Sequence, residues 1–119
     1  MQADDFCLES FTFLNSAKDF MIKFCSTYNG NFLGYIHCRN VSHFLYQNNF
    51  LEDDDAFGCY VCDLQLRRAV KEDPPGWLTS ENDSLINNSD YFLTLESGDI
   101  LMQIRFSQIE QNFFKSLDL

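Results

Sequence analysis

Two β-favouring runs, Tyr91–Glu96 and Asp99–Phe106, stand on either side of the dipeptide Ser97-Gly98. A two-residue connection containing glycine has the length and chemistry of an antiparallel hairpin turn. A hairpin is stable in water only when one of its faces is covered. The remaining segments therefore have to supply further strands or helices that pack against this pair.

Upstream, Phe6, Leu8, Phe11 and Phe13 come close to a period of two, which predicts an opening strand over Phe6–Leu14 with a bulge near Ser10, where the phase slips. Ser16 and Asp19 have the spacing of a capping box, and Phe20, Met21, Phe24, Cys25 and Tyr28 recur at helical spacing, so a helix is expected up to Asn29-Gly30. Phe32–Cys38 reads as a short buried strand, and Asn40 as the cap of a helix over Val41–Gln47 that buries Val41, Phe44 and Leu45. Alternation over Phe57–Leu66 predicts another strand. From Arg67 to Ser89 the chain reads as a long loop, broken by Pro74-Pro75-Gly76 and tacked down by Trp77-Leu78 and Leu85-Ile86. Ser107 and Glu110 form a second box, opening a carboxy-terminal helix marked by Ile109, Phe113, Phe114 and Leu117. The expected fold is α+β: one domain over residues 1–119, with a mixed or mostly antiparallel sheet of about five strands and two or three helices packed against it.

Hydrophobic residues make up 45% of the chain, including thirteen Phe, enough to order one core. The eighteen carboxylates against eight Lys and Arg leave a net charge of -10, more than the roughly 2–8 units that keep a small domain in solution. A field of that sign repels phosphate backbones and anionic membrane and speeds encounter with basic surfaces. Direct nucleic-acid and membrane binding are therefore disfavoured. Cys7, Cys25, Cys38, Cys59 and Cys62 are odd in number and lie in apolar stretches, so they read as reduced core thiols of a cytoplasmic protein. The amino terminus, Met1-Gln2-Ala3-Asp4-Asp5, lacks the pattern of a secretory signal, and no apolar run is long enough for a membrane helix.

Few residues suggest catalysis. Cys59 and Cys62 have a zinc-ligand spacing, for which His37, Cys38 and His43 are the candidate further ligands. Tyr60-Val61 between them favours extended backbone, however, and residues three apart in a strand point to opposite faces. His37 and Cys38, as strand neighbours, also face opposite ways and cannot act as base and nucleophile. Both His37 and His43 read as hydrogen-bonded structural imidazoles. Nucleophile-elbow, phosphate-loop and His-Glu-x-x-His motifs are missing, and Glu52–Asp55 lacks the alternation of a calcium loop. No enzyme activity, cofactor, metal or small-molecule ligand is expected.

The four adjacent acids Glu52, Asp53, Asp54 and Asp55 repel one another unless a cation or basic partner meets them, although a solvated loop is the plainer reading. Glu72 and Asp73 extend the same charge along the chain, and Trp77 is either an inward anchor or a binding hot spot. In size, acidity and expected mixed architecture the chain resembles the immunity proteins of bacterial contact-dependent growth inhibition and of nuclease colicins. That resemblance implies a cytoplasmic partner-binding protein that covers the basic cleft of a nuclease toxin, and no interface position is carried over from those families. Glu52, Asp53, Asp54, Asp55, Glu72, Asp73 and Trp77 are the partner-binding candidates read from this sequence. A phage-type nucleic-acid mimic or anti-defence inhibitor is the alternative, and a small metal-binding or enzymatic domain is a third.

Overall fold

A computed structural model of the chain describes residues 6–48, 61–74, 90–98 and 100–113, the side chains of Cys62 and Phe113 excepted. These residues form six strands: β1 (Phe6–Leu14), β2 (Asp19–Ser26), β3 (Phe32–Asn48), β4 (Val61–Arg68), β5 (Tyr91–Ser97) and β6 (Ile100–Phe113). All pair antiparallel in one sheet of order β1-β2-β3-β6-β5-β4. No helix occurs among the described residues, so the α+β expectation is corrected to all-β.

Each expected helix gives way to strand for an identifiable reason. Over Asp19–Ser26 the helical reading joined Phe20, Met21, Phe24 and Cys25 and passed over Ile22; the buried set is Phe20, Ile22 and Phe24, a period of two. The residues read as its cap instead make a tight turn, with Asn15, Ser16 and Ala17 all at positive φ (54°, 58° and 69°). Asn40 does punctuate the chain, at φ 57°, but as a kink that leads into a bulge between Val41 and His43, and β3 continues through it. A seven-residue helix there would have lost the part of the β3–β6 ladder that runs from Val41↔Phe106 to Gln47↔Leu101. The same ladder draws Ser107–Phe113 into β6 as strand; Phe114 and Leu117 lie outside the described residues.

Other expectations hold. β1 has the predicted bounds and a register shift between Leu8 and Ser10. β5 and β6 form the expected hairpin, but its connection falls one residue later than Ser97-Gly98, since Ser97 ends β5 and Ile100 opens β6; the Ser97 hydroxyl accepts a bond from the Ile100 amide at 3.0 Å. Gly30 does adopt positive φ (72°), in the β2–β3 turn and not at a helix end.

The long strands β3 and β6 run through both halves of the sheet. On β6 the inward set is Ile100, Met102, Ile104 and Phe106, then shifts phase by one, with Ile109 as the next residue against the core. The β3 bulge lies opposite this shift, between Val41↔Phe106 and His43↔Arg105. Opposite faces of the β3–β6 ribbon thus turn inward at its two ends, and the sheet curls until β1 and β4 touch. One core results, joining Phe20, Ile22, Phe24, Ile36 and Cys38 of one half to Leu93, Leu95, Met102, Ile104 and Phe106 of the other. Phe44 sits at the join, its ring centroid 4.7 Å from that of Phe20 and 5.0 Å from that of Phe13.

Candidate interaction surface

The coiling leaves two outward faces. On the half built by β1, β2 and the first part of β3, the outward face carries a polar cluster. His37 Nε2 is 3.2 Å from Asp19 Oδ2, and its Nδ1 is 3.5 Å from Glu110, which also accepts a 2.7 Å bond from Arg39. Asp19 also accepts bonds from the Asn40 amide at the kink (3.1 Å) and from Asn15 Nδ2. The Asn40 amide, then Asn15, with the His37 contacts adding to them, hold the Asp19 carboxyl below its usual range against the opposing effect of burial. The cluster ties the β1–β2 turn to the β3 kink. No hydroxyl or thiol stands beside His37 as a nucleophile among its hydrogen bonds and ion pairs, and Cys38 points the other way into the core.

The outward face of the other half can be read in rows from the register. One row runs Arg67, Phe92, Arg105, His43; the next Gln65, Thr94, Gln103, Leu45; the last Asp63, Glu96, Leu101, Gln47. At the first row every charge is matched. Arg105, 2% exposed, donates to Asp90 Oδ2 (3.0 Å) and to the carbonyls of Val70 and Asp73 (3.1 and 3.2 Å). Arg67 lies over the Phe92 ring, and forks onto both carboxylate oxygens of Asp73 at 2.7 and 2.8 Å. Asp73 takes a third bond from the Val70 amide, and Arg67, more than any other group, holds its carboxyl below the usual range. His43 completes the row; burial first, then the Arg105 charge, depresses its pKa, and its Nε2 is buried with no hydrogen-bond partner.

The last row is the reverse. Asp63 and Glu96 are directly opposed across the β4–β5 ladder, and no Lys or Arg among the described residues forms an ion pair with either. Glu96 is exposed, and Asp63 accepts a 3.0 Å bond only from the neutral Gln65 amide. Asn48, paired with Ile100, and Val61, paired with Ser97, lie at this same end of the sheet. They bound the segment 49–60, which contains Glu52, Asp53, Asp54 and Asp55 and no Lys or Arg.

Of the residues singled out from sequence, Glu72 is exposed in the turn after β4, and Asp73 is buried and engaged by Arg67. Glu52, Asp53, Asp54, Asp55 and Trp77 lie outside the described residues, as does Cys59. The structure does not bring Glu72 and Asp73 to the Asp63–Glu96 end: they follow the other end of β4. His37 is the hydrogen-bonded imidazole expected of it, whereas His43 keeps a buried unpaired nitrogen. Sequence reading missed Asp63, Glu96, Asp90 and Arg105; the signal for Arg105 was its place inside the β-run Ile104-Arg105-Phe106. No group of three or more His, Cys, Asp or Glu side chains among the described residues is placed to hold a metal, and no helix there is long and apolar enough to cross a membrane.

Fold and surface together define a curled, single-sheet antiparallel β protein with one neutralised and one acidic end. The chain belongs to the family whose model matches residues 1–113, described only as "-like". It is similar in fold to an uncharacterized protein from Neisseria gonorrhoeae of known crystal structure, with a TM-score of 0.63 and 19% identity over 91% of this chain and 90% of that one. No curated protein matches it.

Proposed function

We propose that the protein is an immunity-type inhibitor that binds a basic protein, a nuclease toxin, in the cytoplasm, and that it acts by occlusion without catalysis or cofactor. The observation that carries this reading is the opposition of Asp63 and Glu96, without an ion pair among the described residues, at the end of the sheet where the acid-rich segment 49–60 is rooted. Like charges directly opposed across a ladder oppose folding. A cationic partner would turn that repulsion into attraction. Internal ion pairs consume one charge of each sign, so the pairs of Arg39, Arg67 and Arg105 leave the surplus of -10 untouched and available for steering.

The test is co-expression with the product of each neighbouring gene, scored by survival of the host, followed by binding kinetics of any pair that survives only together. Changing Glu52, Asp53, Asp54, Asp55, Asp63 and Glu96 to their amides is expected to slow association at least tenfold at low salt and to flatten its salt dependence. Survival unaffected by this chain, or association insensitive to both salt and these amides, defeats the proposal.

A further inference from the structure

We infer that Cys7 and Cys25 are a redox-active pair that closes reversibly to a disulfide between β1 and β2, with a low-molecular-weight disulfide such as oxidised glutathione as the oxidant. The two residues are direct cross-strand partners, and their sulfurs lie 3.4 Å apart, already in contact. Closure to about 2.05 Å needs Cβ atoms roughly 3.5–4.5 Å apart. Directly opposed residues of an antiparallel pair start at roughly 4.5–5.5 Å, so the strands must approach slightly and the thiols rotate.

The local structure allows that approach. β1 ends the sheet order and forms its ladder with β2 alone. Two register irregularities adjoin the pair, one between Leu8 and Ser10 in the β1–β2 ladder and one between Phe24 and Cys25 in the β2–β3 ladder, and bulged backbone bends and twists where regular ladder resists. Access is unequal in a useful way, since Cys25 is half-buried whereas Cys7 is 7% exposed. The Cys25 thiolate attacks the external disulfide, forming a mixed disulfide and releasing one glutathione thiolate. The Cys7 thiolate then attacks the Cys25 sulfur and displaces the second. Two protein thiols are oxidised, one external disulfide is reduced to two thiols, and protons balance in solution. Cys38 makes the internal contrast: fully buried, its thiol is pushed far above the usual range by burial and does not compete.

The experiment treats the native, reduced full chain with oxidised glutathione, quenches with an alkylating agent and maps the peptides. The expected result is loss of two hydrogens in mass, a linked Cys7–Cys25 peptide, and Cys38 alkylated only after unfolding. The bridge closes a loop spanning 18 positions, so the thermal midpoint should rise by roughly 10 °C and fall back on reduction with dithiothreitol. The variant C7S should stop at a single glutathione adduct on Cys25. Persistence of that adduct in the unsubstituted chain with Cys7 still a thiol overturns the inference. So does an unchanged mass, or a bridge that uses Cys59 or Cys62.

Discussion

The two ends of one outward face treat the same kind of side chain in opposite ways. At the Arg105 end, Asp73 and Asp90 are buried and held by guanidinium groups and the Val70 amide; at the Asp63 end, two carboxylates confront each other with no cation paired to either among the described residues. Acidity along the chain therefore says little about which acids are available. Availability is decided by whether a strand carries an arginine in register with the acid, and at the Asp63–Glu96–Leu101–Gln47 row none does. The first end holds the 69–74 turn onto the sheet, and the second carries its charge at the surface.

The sharpest way to break this contrast is Arg105→Met. It leaves the Asp90 carboxylate and the Asp73 carbonyl without the Arg105 donor, and the Val70 carbonyl with the Asp73 amide alone, in a site 2–8% exposed, a loss expected to be about 3–5 kcal/mol in urea unfolding. Removing Asp90 as well, in Arg105→Met/Asp90→Leu, should recover a large part of it, because an apolar pair leaves no uncompensated charge. A loss under about 1 kcal/mol for the single variant would mean that this end is as solvated as the other.

Asp73→Asn is the next largest. It weakens the Arg67 fork and the bond from Val70, but Arg67 is 48% exposed and screened, so the loss should be nearer 1 than 3 kcal/mol. Its pH signature is distinct. The folded Asp73 carboxyl is depressed, so its contribution is present above the unfolded carboxylate pKa and is lost as pH falls through the folded one. The variant should flatten the acid limb of the stability curve, read by unfolding at stepped pH.

At the opposite end the sign reverses. Glu96→Lys places a cation opposite Asp63 and should stabilise the isolated protein by roughly 0.2–1 kcal/mol, while slowing association with a basic partner. A substitution that strengthens the fold and weakens binding separates the two ends in one experiment. Loss of stability on this change would show that Glu96 already has a cation.

How much of this was legible follows from which rule governs each stretch. The β5–β6 hairpin and β1 were readable because turn chemistry and a period of two are local properties. β2 was misread because Phe20-Met21-Ile22-Lys23-Phe24-Cys25 satisfies both periods, and only its pairing with β1 and β3 chooses between them. Asn40 was rightly seen as a break, but its amide bonds Asp19, far away in sequence, and that long-range bond makes it a kink within a strand. The candidate surface was legible in sign and not in place. Glu72 and Asp73 are adjacent in sequence yet one is exposed and one buried, and the opposition of Asp63 to Glu96 exists only through the register.

His43 gives the smallest effect and the finest test of the neutralised end. It shares a row with Arg105, and burial together with that guanidinium disfavours protonation of its imidazole in the folded state. Its folded pKa is lowered, so near the ordinary imidazole value the unfolded chain binds the proton more readily than the folded chain does. Stability must then decline as pH falls through that window, at a higher pH than the loss tied to Asp73. His43→Leu removes the titration along with the unpartnered Nε2, and should flatten this limb of the curve while leaving the carboxylate limb in place. A limb unchanged in His43→Leu would mean that water already reaches the imidazole, and that Arg105 is less enclosed on its β3 side than on the side of Asp90.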